Sequence, residues 1–172
     1  MLKQIMIFAM VTMVLLGCSK QTTETADSIQ IAKAFLDEQG YTILSHEHTE
    51  EPDILTEKQL RETYYMTIWQ VQSVSPDQYL GKNVGGEIFI VKNHPLDHYE
   101  HSDAKSLGKT RVHVLIAEGE VIGGTSFPVV NAALYGSLFS LDGRTFEELH
   151  PDVNWRAWAD EWFEKYSDKI DP

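Results

Sequence analysis

The sequence predicts an α+β domain: an antiparallel sheet of about five strands with the N- and C-terminal helices packed on one face. Two observations carry this. Short runs of β-branched and aromatic residues follow one another through tight turns, which favours antiparallel pairing. Apolar residues recur at three- and four-residue spacing near both ends of the domain, which is the signature of amphipathic helices.

In order along the chain, a first helix is expected from Asp27, with Gln30 as capping-box partner and Ile31, Ala32, Phe35 and Leu36 on one face, ending at Gly40. Tyr41 to Ser45 reads as a strand, His46 to Asp53 as a charged loop holding Pro52, and Thr56 as the cap of one turn through Arg61. Tyr64 to Val74 is aromatic and β-branched, with Tyr65, Trp69 and Val71 on one face and Met66 and Ile68 on the other, so a central strand is expected. Ser75-Pro76-Asp77-Gln78 carries a cap, a proline at the first helical position and a capping-box glutamine, which predicts a short turn through Leu80. Gly81-Lys82-Asn83-Val84-Gly85-Gly86 reads as a turn, since it lacks the full phosphate-loop spacing and precedes a strand.

Glu87 to Lys92 and Thr110 to Ala117 are the next strands, and Glu118-Gly119 is a hairpin turn into Val121 to Thr125. Leu138 to Leu141 is a last strand. Asp142-Gly143 makes a turn, and Thr145 with Glu148 opens a short helix. The strongest helical signal is C-terminal, where Trp155, Trp158, Ala159, Trp162, Phe163 and Tyr166 form a stripe that reads as core.

The first twenty residues carry a different kind of signal. Lys3 precedes an apolar run from Ile5 to Leu16 that only Thr12 interrupts. A membrane-spanning helix needs about 20 apolar residues, so this run reads as an export signal. It ends in Leu15-Leu16-Gly17-Cys18, which resembles the lipobox of bacterial lipoproteins. That resemblance implies cleavage after Gly17, a diacylglycerol on the Cys18 sulfur by a thioether link and, in some bacteria, acylation of the new amine. A thiol is the apt nucleophile for such alkylation. Two acyl chains, at about 0.8 kcal/mol for each buried CH₂, hold a protein firmly where one chain gives only reversible attachment.

The expected organisation is therefore residues 1–17 as a removed signal, 18–26 as lipidated cysteine and flexible tether, and 27–172 as a single globular domain on the extracytoplasmic side of the cell membrane. The chain as a whole is similar to small surface lipoproteins of Gram-positive bacteria. The hairpin followed by Ser140-Leu141-Asp142-Gly143 is loosely similar to small envelope domains of the PepSY type, a likeness that transfers no site.

Without the leader the chain has 13 Lys and Arg against 26 Asp and Glu, a formal charge of −13 with His neutral. That sign disfavours nucleic acid and anionic lipid as direct partners, so attachment falls to the lipid, and cationic partners are favoured. Cys18 is the sole cysteine, so the domain has no disulfide and no cysteine metal site.

Chemistry-bearing residues concentrate in His94-Pro95-Leu96-Asp97-His98-Tyr99-Glu100-His101, followed by Asp103. Imidazole and carboxylate are ligands of Zn²⁺ and Cu²⁺, so His94, His98 and His101 are the candidate metal ligands, to be strengthened if His46 and His48 fold nearby. A solvated polar loop is the competing reading. There is no Gly-x-Ser-x-Gly elbow and no His-Glu-x-x-His helix. The adjacent Gly123-Gly124 read either as a strand exit or bulge, or as a place where a partner backbone approaches closely.

These features rank a non-catalytic envelope lipoprotein that binds or modulates another protein at the membrane surface first, with no catalytic or cofactor-binding residue assigned. A Zn- or Cu-binding lipoprotein using the His/acidic loop comes second. A carboxylate-based envelope hydrolase comes third, and it requires a cleft where at least two Asp or Glu side chains converge.

Overall fold

The computed structural model describes residues 19–132, 136 and 138–167, with side chains from residue 27 onward. The leader and Cys18, the expected site of lipidation, lie outside the described residues. Six strands, β1 (Thr42–Ile54), β2 (Asn83–Lys92), β3 (Glu100–His101), β4 (Ala104–Ala117), β5 (Glu120–Val130) and β6 (Phe139–Ser140), form one antiparallel sheet in the order β1-β2-β4-β5-β6, with the short β3 pairing with β4. The helices are α1 (Ser19–Glu38), α2 (Glu57–Leu60), α3 (Thr63–Trp69), α4 (Phe146–Leu149) and α5 (Trp155–Tyr166). Antiparallel α+β architecture with helices at both ends is thus what forms. Among the described residues no helix is long and apolar enough to cross a membrane.

The predicted capping boxes at Thr56 and Thr145 are both made, through Gln59 and Glu148. The β4–β5 turn places Glu118 and Gly119 at φ 53° and 80°, the left-handed pair whose twist matches the strands it joins. At the start of the domain, α1 begins at Ser19, so Asp27 lies within a helix and residues 19–26, read as tether, continue it.

Two further expectations are corrected. Tyr64 to Val74 is no central strand: its first part is α3, which puts Met66 and Trp69 into one cluster with Leu60, Ala159, Trp162 and Tyr166. Packing at three-residue spacing decided the matter over the β-propensity of the individual side chains. His46 to Asp53 is no loop, since β1 runs through it as a strand on β2. Three register shifts break the alternation of β1, one of them spanning Pro52, so its period is hidden from the sequence.

The helices take separate clusters. Ala32 and Leu36 of α1 pack with Phe89, Val91, Val112, Val114 and Ile116, which alternate onto one face of the sheet. The cluster of α3 and α5 instead engages Val84 and Ile122, which point to the other face. The expected packing of both terminal helices on one face is thereby corrected: each covers a different face of the sheet. The α5 side covers only one end of its face, leaving Ile88 and Ile90 half-buried.

Candidate functional site

The predicted His loop turns inward. His94 is 2% exposed and caps the 3₁₀ turn Pro95–His98: its Nδ1 accepts from the Leu96 amide at 3.1 Å, so the proton sits on Nε2, which donates to the Leu141 carbonyl at 3.0 Å. Burial pushes its pKa below 6.5, against the opposing pull of the Leu141 bond, Asp97 and Asp142. Asp97 is occupied as well, accepting from the Thr110 hydroxyl at 2.8 Å and the His94 amide at 3.3 Å. His98 and His101 are exposed. The loop is therefore built around a neutral imidazole with both nitrogens engaged, and His94 could reach a cation only by giving up a bond that holds the turn. Among the described residues no group of three or more His, Cys, Asp or Glu side chains is arranged to hold a metal.

His46 and His48 fold elsewhere, on β1. His46 Nε2 donates at 2.7 Å to Glu87, a carboxylate only 1% exposed that also accepts from Ser28 of α1 at 2.6 Å and Thr49 at 2.8 Å. Glu87 is the buried tie between α1, β1 and β2. It was invisible in sequence because it looks like the polar start of a strand, and its partners lie 38 to 59 residues away.

On the opposite face a second carboxylate is placed differently. Glu50 Oε2 lies 3.2 Å from His113 Nε2, an ion-pair distance, yet that buried nitrogen has no partner in hydrogen-bonding geometry among the described residues. The ring lies over β2 at Gly86, where a Cβ would come 2.1 Å from Nε2, so only glycine fits beneath it. Gly85-Gly86, read as part of a turn, is inside β2 for this reason. The His113 imidazole is the chief cause holding the Glu50 carboxyl below the usual range; burial opposes it, and Tyr64 and His48 assist. Tyr64 donates to Glu50 Oε1 at 3.1 Å, and burial together with that carboxylate pushes its phenol up to about 12.

Beside Glu50, between β1 and α3, a cavity of about 90 Å³ opens to the surface. Ile68, Trp69, Val84 and Leu115 form its apolar walls, and Glu50, Glu51, Asp53, Tyr64 and Tyr65 form a polar rim. The two tyrosine rings meet edge to face, 5.3 Å apart at 85°. Gln59 fixes part of the rim by donating to Asp53 Oδ2 and Tyr65 Oη, each at 3.0 Å. Glu51 has no partner among the described residues.

The adjacent Gly123-Gly124 serve a close approach, but to a side chain of the same chain. The Gln72 carboxamide takes the Gly124 amide at 2.8 Å and gives to its carbonyl at 3.0 Å, standing in for a strand beyond the short β6. A bulge between Leu115 and Ile116 adjoins it. Compared with family models, curated proteins and solved structures, the chain matches none.

Proposed function

We propose that this chain is a non-catalytic, lipid-anchored extracytoplasmic domain that binds another protein at the membrane surface. The carrying observation is the cavity between β1 and α3. At about 90 Å³ it is far below the roughly 300 Å³ of the smallest ordinary ligand pockets, so it suits one side chain of a larger partner. Tyr64 on its rim is 53% solvent-exposed, and Ile54, between the lining residues Asp53 and Leu55, is 52% exposed, which places apolar surface near the opening, as at the centre of protein interfaces. Glu50, held ionised, is the reverse of the protonated acid that a two-carboxylate hydrolase needs, which weighs against the hydrolytic reading.

The test has two parts. Mass spectrometry of the protein from its own membranes is expected to find a chain beginning at a diacylglycerol-modified Cys18. Cross-linking on intact cells, followed by affinity capture, is expected to return one protein in near-equal amount, and the capture should weaken when the lipid is removed by Cys18→Ser. An unmodified, uncleaved chain, or capture that yields only abundant background proteins, refutes the proposal.

A further inference from the structure

We propose that the cavity between β1 and α3 is an anchor pocket for an arginine or lysine side chain of the protein partner, its methylenes on the indole and tyrosine rings and its charge on the carboxylate rim. This rests on the protein-binding reading above. Several independent features converge on it.

The walls contributed by Ile68, Trp69 and Leu115 match an aliphatic stem, and the volume excludes anything much larger than one side chain. Tyr64 and Tyr65, set edge to face, both line the cavity, and aromatic rings attract a guanidinium or ammonium through their quadrupole. Glu51 has no partner among the described residues, so it offers charge at the rim without first breaking a bond to one of them, beside the Glu50 carboxylate that Tyr64 and His113 hold. With 26 acidic against 14 basic residues over the whole chain, the long-range field also draws a basic partner toward the domain. Arginine is moreover among the residues most enriched at the energetic centre of interfaces.

The experiment uses the full chain in detergent, titrated with a capped hexa-arginine peptide and followed by backbone amide resonances. Shifts are expected to concentrate at Glu51, Tyr64 and Tyr65. Glu51→Gln and Tyr65→Ala should each weaken binding about fivefold, while Tyr65→Phe, which keeps the ring, and Glu147→Gln, an exposed acidic residue elsewhere, should change it less than about twofold. A capped hexa-glutamate peptide should produce no shifts. Shifts spread evenly over the acidic surface, or equal weakening by Glu51→Gln and Glu147→Gln, would overturn the pocket. Repeating the cellular capture with Glu51→Gln separates the two ideas: unchanged capture sinks the pocket and leaves protein binding standing, whereas failure of capture by the unaltered chain sinks both.

Discussion

The two faces of the sheet hold a carboxylate in opposite ways, one buried and one half-buried. Under α1, Glu87 is 1% exposed and receives three side-chain partners, one from α1 and two from β1, in a layer where Phe89, Val91, Val112 and Val114 are fully packed. On the other face, Glu50 leans on one poorly aligned imidazole and one exposed phenol, next to an open cavity. A fully satisfied polar group fixes how three elements meet, because any other arrangement strands it. An incompletely satisfied one, at the edge of solvent, keeps capacity for something else.

The largest test of this contrast is Trp162→Ala. Trp162 is 8% exposed and donates to the Leu60 carbonyl at 2.7 Å, so its loss should cost about 3 to 5 kcal/mol in urea unfolding, whereas the half-buried Trp158→Ala should cost clearly less. If the two losses were equal, the α5 cluster would be packed otherwise than described. Next comes Glu87→Gln. It keeps the shape but turns an acceptor toward a donor, and should cost about 1.5 to 3 kcal/mol by the same measurement. Glu50→Gln, its counterpart on the open face, should cost under about 1 kcal/mol. Reversal of that order would erase the distinction between the faces.

A pH series sharpens the picture at His94. The folded chain holds this imidazole neutral, while the unfolded chain takes up a proton near pH 6.5, so stability is lost as pH falls through that value. The slope from this one group is at most about 1.4 kcal/mol per pH unit, and His94→Gln should remove it from thermal or urea midpoints measured between pH 7 and pH 5. A slope unchanged by the substitution would mean that His94 takes up its proton as readily in the folded chain as in the unfolded one. The smallest effect is expected at Tyr64→Phe, which deletes one exposed bond to Glu50 and should leave the unfolding midpoint nearly unaltered.

How much of this could be read in the residues alone depended on whether the deciding partner was near or far in sequence. Caps at Thr56 and Thr145, the turn at Glu118-Gly119 and the helix Trp155 to Tyr166 are local, and each formed where expected; of the aromatic stripe read as core, however, Trp155 and Phe163 are exposed, while Ala159, Trp162 and Tyr166 are buried. The strand identity of His46 to Asp53 depends on β2, nearly forty residues later, and its bulges erase the alternation that would have betrayed it. Thr63 to Trp69 became a helix through contact with α5, about ninety residues on. The candidate site shows the same division. His94 drew notice by its neighbours in sequence and proved structural, while Glu50, Tyr65 and His113 meet only through the fold; Gly85-Gly86 inside an apolar strand was the one local hint that something lay close above it.

The irregular path of β1 has one more consequence. Thirteen residues of strand at the end of a sheet would ordinarily offer a template on which a second copy could polymerise. Here the backbone steps out of line three times, a proline interrupts one step, and Glu47, Glu51 and Asp53 are exposed charges along the strand. Molecules crowded together are thereby kept from zipping into cross-β aggregates, so the long strand remains available to shape a cavity without becoming a seed for fibrils.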